Sequence, residues 1–170
     1  MKPKWWNKSR SYLIKKDKVI SKLIKSYKGH LTTRNNFFYS LTRSIISQQI
    51  SVAAADSVFS KFEKKCKNKI NPKTVQKLSI QDLKKCGLSK MKAIGIKSLA
   101  QKILDKSFNP KLIKKMTDEE AIIYLSSLRQ IGRWSAEMVL IFFYNRPNIW
   151  PVQDIGCLLY TSDAADDTPC

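Results

Sequence analysis

Apolar residues recur at helical spacing along almost the whole chain, and this periodicity limits the folds that it can adopt. One run lies within residues 19–27, and others lie within 37–46, 54–62 and 134–144. No stretch alternates convincingly between apolar and polar residues, as a half-buried strand would. The sequence therefore predicts an all-α domain.

Residues that can cap exposed backbone amides mark where several helices begin. Ser51 precedes one apolar run and can accept a hydrogen bond from an early amide of the helix. Ser79 with Asp82, and Thr117 with Glu120, have the spacing of capping boxes, in which two side chains satisfy orphaned amides reciprocally. We expect helices to begin at these three places.

The charge of the chain indicates a polyanionic partner. It has 32 Lys and Arg against 13 Asp and Glu, a net charge of +19. Such an excess destabilises a compact state, so a nucleic acid is the first candidate partner and an acidic membrane surface the second. A Lys-rich composition inherited from an AT-rich genome is the alternative for part of the excess. Charge by itself indicates association and not chemistry.

The ligand-type residues favour neither a metal site nor a cofactor. Cys66, Cys86, Cys157 and Cys170 form no CxxC pair, and the single His30 has no neighbouring ligand. No apolar run has the length of an export signal or a membrane span. We therefore expect no metal, no cofactor and no membrane partner. We also expect a cytoplasmic protein, associated with the nucleoid of a bacterium.

The last residues differ from the rest of the chain. No Lys or Arg follows Arg146, and residues 157–170 read CLLYTSDAADDTPC, which is acidic and without helical periodicity. This phrase looks like translated sequencing-adapter read-through, and an ordinary disordered terminus is the alternative. We therefore expect an incomplete domain over 1–156 and a non-native or disordered tail over 157–170.

Residues 125–154 carry the most functional information. They read as a helix, a tight turn, a second helix and a proline-bounded segment that ends in Asp154. Gly132 in the turn permits backbone geometry closed to other residues, and the first amides of the second helix can bind a phosphate. Arg133 can add a charge-assisted contact. The alternative is a plain helical hairpin in which glycine only marks the turn.

The hairpin resembles that of the helix–hairpin–helix base-excision DNA glycosylases, in particular their 3-methyladenine glycosylase II branch. The blocks that carry the resemblance are, in order, FFYSLTRSIISQQISVAAA (37–55), GLSKMKAIGIKSLA (87–100), IGRWSAEMVL (131–140) and the segment that ends in Asp154. The similarity covers about residues 17–156. It implies a bundle of about eight helices, with the family's C-terminal helices missing here.

By the resemblance, Asp154 takes the position of the family's catalytic aspartate, twenty residues after Trp134. The chemistry explains the residue type, because cleavage of an N-glycosidic bond builds positive charge on the sugar. An ionised carboxylate stabilises that charge and can orient the attacking water. The alternative role for Asp154 is a helix cap.

Trp134 stands where bifunctional relatives carry a lysine that attacks the sugar. The resemblance therefore implies a monofunctional hydrolase, and it disfavours an oxidised-base glycosylase with lyase activity. The indole face also suits an alkylated purine, which carries positive charge. Packing in the core is the alternative for Trp134.

The resemblance also implies the residues that meet DNA. Gln48 and Gln49 are expected to line the base or the strand, and either Ile50 or Leu88 is expected to fill the gap left by a flipped base. Gln130 departs from the family's usual Gly-x-Gly hairpin, which could reshape the turn. The candidates for DNA contact are Ser51, Leu88, Ser89, Lys90, Lys92, Gln130, Ile131, Gly132, Arg133 and Ser135.

These observations predict a base-excision glycosylase that removes alkylated purines of the 3-methyladenine type from double-stranded DNA, acting as a monomer. The alternative is a non-catalytic helix–hairpin–helix module that binds DNA without releasing bases. The basic charge fits both functions, so only Asp154 separates them.

Overall fold

The structure, a computed structural model, describes residues 2–154 and Leu158, and within them every regular element is helical. The α-helices of the described residues are α1 Trp6–Lys16, α2 Lys18–Ser26, α3 Phe37–Ser47, α4 Val52–Lys65, α5 Pro72–Gln76, α6 Ile80–Lys85, α7 Lys90–Leu104, α8 Asp118–Ser126 and α9 Arg133–Phe142. A short 3₁₀ helix, Leu112–Lys115, lies between α7 and α8. The prediction of an all-α fold is confirmed.

The predicted caps form as the sequence indicates. The Ser51 side chain accepts from the amide of Ala54 at the start of α4. Both halves of the capping box are present at Ser79, before α6, and at Thr117, before α8. Each of these contacts joins residues three apart, which is why the sequence alone could place them.

The core is built around α3, α7 and α9. α7 packs against α3, α5 and α6, while α9 packs against α8 and α3. Leu41, Ile45, Ile96 and Leu140, from these three helices, have no exposed surface. Burial of such a side chain stabilises the fold by about 1.5–3 kcal/mol. This packing places the end of α3, the start of α7 and the α8–α9 turn on one side of the molecule.

The first two helices stand apart from this core. They pack on each other, and neither contains a buried residue. Val19 and Leu23, on the apolar face of α2, are 68% and 53% exposed. The Trp5 indole Nε1 donates to the backbone oxygen of Asn145 at 2.7 Å and anchors the pair to the end of α9. Periodicity predicted the helix correctly, but it does not say what covers its apolar face.

None of the helices in the described part of the chain combines the length and the hydropathy that crossing a membrane requires.

Candidate functional site

The turn between α3 and α4 presents two exposed side chains. α3 ends at Ser47, and Ser51 caps α4, so residues 48–50 form the connection. Gln49 lies there with a positive φ of 56°, and its side chain is exposed. Ile50 is 40% exposed. The turn therefore projects a polar and an apolar side chain side by side.

The side chain of Lys92 binds the backbone of this turn. Its Nζ donates to the backbone oxygens of Ile46 at 2.8 Å and Gln48 at 2.6 Å, which belong to the C-terminal end of α3. Its partial burial lowers the pKa of Lys92, although the two carbonyls solvate the ammonium. Two donors of its ammonium are therefore engaged inside the protein, and the expected phosphate contact of Lys92 stays a prediction. Lys90, two residues earlier, is exposed.

The α8–α9 turn has its unusual backbone at Gln130 and not at Gly132. Gln130 has φ 69°, in the left-handed region that favours glycine. Gly132 has φ −90° and ψ −179°, which any residue can adopt, and a Cβ there would meet nothing within 4 Å. The expectation that Gly132 supplies forbidden geometry is wrong. What glycine offers at this position is open space beside the backbone.

The two turns are joined by the side chain of Gln48. Its Nε2 donates to the backbone oxygen of Gln130 at 2.8 Å and to the Ser135 hydroxyl at 3.2 Å. Ser135 is buried on the first turn of α9. Gln48 therefore fixes the distance between the end of α3 and the hairpin, and Lys92 fixes Gln48 through its backbone.

Arg133 pairs with two carboxylates of its own chain. Its NH1 and NH2 each lie 2.7 Å from one oxygen of Glu119, and its Nε lies 3.2 Å from Glu137. This bidentate contact raises the pKa of Arg133 and lowers that of Glu119. Arg133 therefore links α8 to α9. Its expected contact with a phosphate stays a prediction, because the same guanidinium is engaged by two carboxylates.

Ile131 is also turned inward. Its side chain is buried, and its amide donates to the backbone oxygen of Leu128 at 3.1 Å. Gly132, the N-cap of α9, has no side chain to accept from the first amides of that helix. We therefore expect the first amides, at positions 133 and 134, to be the donors that the hairpin offers to a ligand.

Trp134 and Asp154 meet at the edge of this surface. The indole Nε1 donates to Asp154 Oδ2 at 2.6 Å. Trp134 is 39% exposed, and Asp154 is half-buried. The segment before the aspartate folds back on itself, since the amide of Asp154 donates to the carbonyl of Pro151 at 2.9 Å. The turn at Pro151 positions the backbone of Asp154, and the indole contacts its carboxylate beside α9.

A cleft of about 680 Å³ lies between the two turns, with Trp134 on its wall. Of the residues predicted from the sequence it brings together Gln48, Gln49, Ser89, Lys92, Gln130, Trp134 and Ser135. A second cavity of about 240 Å³ shares Trp134, Ser44 and Ser47 with the cleft and lies between α3 and α9. Trp134 thus stands between two spaces.

Leu88 does not belong to this surface. It is 4% exposed and packs in the core, so its side chain cannot enter DNA as a wedge. Of the two residues suggested for that role, only Ile50 has an exposed side chain. Ser51, Ser89 and Lys90 are exposed around the turns.

Gly95 on α7 was missed by sequence reasoning. A Cβ at this position would lie 2.6 Å from Gln130 Cγ and 3.4 Å from the backbone oxygen of Arg129. Its lack of a side chain lets the hairpin rest directly on α7. A lone glycine inside a helical pattern was the available signal, because such a residue usually has a packing reason.

Known proteins share this architecture. The family model of the HhH-GPD superfamily base excision DNA repair proteins matches residues 42–161. In Schizosaccharomyces pombe, the alkylbase DNA glycosidase-like protein mag2 is 35% identical over 118 residues, which are 67% of this chain and 55% of that protein. DNA-3-methyladenine glycosylase 1 of the same organism is 29% identical over 143 residues, which are 82% of this chain and 63% of that protein.

A solved structure gives the same result. The S. pombe 3-methyladenine DNA glycosylase Mag1 in complex with abasic DNA superposes with a TM-score of 0.70 at 28% identity, covering 87% of this chain and 75% of that one. The chain itself spans 55% and 63% of the lengths of the two curated relatives. The family model matches well over half of the chain, and its matched region contains the turns, the cleft, Trp134 and Asp154. The chain therefore belongs to the HhH-GPD superfamily of base excision DNA repair proteins.

Proposed function

We propose that this protein is a DNA glycosylase that hydrolyses the N-glycosidic bond of alkylated purines in double-stranded DNA. The observation that carries the proposal is the contact between Trp134 and Asp154, which holds a carboxylate at the edge of a cleft between two exposed turns. DNA-3-methyladenine glycosylase 1 and the solved Mag1 structure are named for 3-methyladenine, and mag2 is named for an alkylated base.

The reaction requires the base to leave the stack, because the glycosidic bond is inaccessible inside a duplex. With the base rotated outward, Asp154 faces the sugar as positive charge develops on it. The C1′–N bond breaks with its electron pair going to the base, and a water oxygen bonds to C1′. The water gives one proton to the Asp154 carboxylate and the base leaves with the bonding electron pair, so that an abasic site remains. The indole N–H keeps the carboxylate in place during these steps.

The reaction stops at the abasic site because no amine stands at position 134. A lysine at that position would form a Schiff base with the sugar and lead to strand cleavage. Trp134 has no such chemistry, and its ring face attracts a cationic base. Lys92 also lines the cleft, but its ammonium is bound to two carbonyl oxygens. A monofunctional hydrolase is the result.

DNA binding is proposed to rest on the backbone of the hairpin and on the net charge. The first amides of α9, beside the open space at Gly132, face a phosphate with the positive end of the helix dipole. The net charge of +19 adds attraction that does not depend on sequence. Ile50 is the candidate for the side chain that fills the space left in the DNA stack by the flipped base. A single copy of the chain supplies all of these parts, and cytoplasmic DNA is the implied substrate.

The experiment compares Asp154→Asn with the unmodified chain on methylated duplex DNA. Asp154→Asn is expected to lower the release of free methylated purine by about 100- to 1,000-fold, as loss of a preorganised charge does. Its affinity for undamaged duplex should change little. Asp105→Asn, an exposed carboxylate at the end of α7, is the matched control and should release base normally.

The second candidate is a DNA-binding module without catalysis. The charge and the hairpin favour it equally, since neither involves the reacting bond. It predicts salt-sensitive binding that is the same for both variants, with no base released by the unmodified chain. Trapping of a protein–DNA adduct by borohydride would instead revive a lyase and contradict the proposed role of Trp134.

A further inference from the structure

The smaller cavity between α3 and α9 has two unlike walls. Trp134, Met138 and Phe142 recur every four residues on α9 and form one wall. Side chains of α3, including Ser40 and Arg43, form the other wall. An apolar wall suits the flat face of a nucleobase, and polar groups opposite can meet its edge. The cavity also adjoins Trp134, whose indole holds Asp154.

Arg34 enters this cavity from the segment before α3. It is exposed, and it forms no hydrogen bond or ion pair with any other residue that the structure describes. Arg43 differs, because its NH2 lies 2.6 Å from Asp56 Oδ1 and its guanidinium lies 4.8 Å from the centroid of the Phe59 ring. Arg34 is therefore the guanidinium whose position and donors are not committed to a carboxylate of the described residues.

No Asp or Glu is among the described residues that line this cavity. The same holds for the neighbouring cavity of about 280 Å³, which Arg34 and Arg43 also line. A base group that accepts hydrogen bonds therefore meets charged donors here, whereas a base group that donates meets serine hydroxyls but no carboxylate. The distinction matters for purines, which carry at C6 either an oxygen that accepts or an amino group that donates.

We propose that Arg34 is a specificity-determining residue that directs the flipped-base cavity toward purines with an oxygen at C6 and away from purines with an amino group there. The guanidinium fork matches O6 and N7 of such a base in a bidentate contact. A 6-amino purine offers a donor at the same place, and two donors face each other. This inference rests on the proposed glycosylase function, because it concerns a base outside the helix.

The first test measures base release. DNA treated with a methylating agent contains both 3-methylguanine and 3-methyladenine, which differ at C6 and at the C2 amino group. Arg34→Gln is expected to lower the release of 3-methylguanine relative to 3-methyladenine by about tenfold. Arg34→Lys keeps the charge but loses the fork, so it should resemble Arg34→Gln. Lys64→Gln, which removes one exposed charge on α4, should leave the ratio unchanged.

The second test measures binding and needs no catalysis. Two duplexes contain 2′-fluoro-2′-deoxyinosine or 2′-fluoro-2′-deoxyadenosine, which resist hydrolysis and whose bases differ at C6 and in the hydrogen at the adjacent N1. The unmodified chain should bind the inosine duplex more tightly, and Arg34→Gln should abolish this preference. Equal binding of the two duplexes by the unmodified chain would overturn the inference.

The two proposals can fail separately. If the unmodified chain releases methylated bases while Arg34→Gln leaves the ratio of the two bases unchanged, the inference about Arg34 is wrong and the glycosylase function stands. If no base is released from any substrate, the proposed function fails, and equal Kd values for the two duplexes then reject the cavity role as well.

Discussion

Gln130 carries a conformation for which its side chain is poorly suited. At φ 69° an L-residue brings its Cβ close to the following carbonyl, at a cost of about 1–2 kcal/mol. The same backbone oxygen accepts from Gln48, so the turn cannot relax without breaking that bond. The Gln130 side chain offsets part of the cost by packing on Gly95. The strain is thus held where the two turns are joined.

Gln130→Gly is expected to raise the free energy of unfolding by about 0.5–1 kcal/mol. Glycine removes the steric cost of the left-handed conformation in the folded chain. Its greater conformational entropy in the unfolded chain offsets part of that stabilisation. Urea titration followed by circular dichroism would measure the change. A loss of more than about 1 kcal/mol would mean that the contact with Gly95 outweighs the backbone strain.

Trp134→Phe separates the two roles of this indole. The ring face is kept, but the N–H that donates to Asp154 is lost. A hydrogen bond to a charged group contributes about 1.5–3 kcal/mol, so kcat is expected to fall about tenfold or more. Single-turnover base release would measure it, with duplex affinity as the control. Unchanged kcat would show that the carboxylate is held by other contacts.

At the scale of residues, the sequence predicted which residues belong to the site better than it predicted which groups they contact. Asp154 and Trp134 were singled out together, and the structure joins them. Lys92 and Arg133 were expected to face phosphate, and both are engaged within the protein. The partners of Lys92 lie more than 40 residues away along the chain. Only the fold brings them within reach, so no local pattern could reveal them.

At the scale of elements, the contact between α7 and the hairpin depends on one missing side chain. Gly95→Ala would place a methyl group 2.6 Å from Gln130 Cγ, so the turn or the side chain must shift. We expect a loss of stability of about 1–3 kcal/mol, as overpacking usually causes. Thermal and urea unfolding would measure it.

Gly132→Ala is the matched substitution at the same turn. Its Cβ meets nothing within 4 Å and its φ is ordinary, so stability should change by less than about 0.5 kcal/mol. The affinity for duplex DNA should nevertheless fall, because the methyl group occupies space that a phosphate would use. A variant that binds DNA normally would contradict the proposed phosphate site.

Helix boundaries could be predicted where the signal is local. The boxes at Ser79 and Thr117 act within three residues, and the structure reproduces both. The apolar face of α2 shows the limit of periodicity, because Val19 and Leu23 repeat correctly yet remain exposed. An apolar repeat identifies which face of a helix is apolar. Whether that face is buried depends on which other helices the fold packs against it. The sequence therefore predicted the elements but not their contacts.

At the scale of the whole molecule, several carboxylates stabilise the fold only while ionised. Hydrogen bonds from Thr117 lower the pKa of Glu120, and the contact with Arg133 lowers that of Glu119. The contacts with Lys65 and Ser79 lower the pKa of Asp82. Since these pKa values are lower in the folded than in the unfolded chain, their contribution is present above about pH 4 and is lost as the pH falls below it.

We therefore expect Glu120→Gln to destabilise the protein at pH 7 and to matter progressively less as the pH falls below about 4. The unmodified chain then loses the same carboxylate charge by protonation. Urea unfolding at a series of pH values would measure the difference. Glu63→Gln on α4 is the control for a lost charge outside a capping box. A difference that stays constant with pH would exclude the capping charge as its cause.

The bond between Trp134 and Asp154 has an evolutionary consequence. The same indole lines the smaller cavity and donates to Asp154, so under the proposed function it both forms a wall of the lesion cavity and positions the reacting oxygen. A mutation that reshapes this wall to admit another lesion also displaces the catalytic group, so selection for a new substrate meets a loss of rate. Substitutions that change which lesions are accepted are then expected first on the opposite wall, at Arg34 and along α3, while Trp134 is retained.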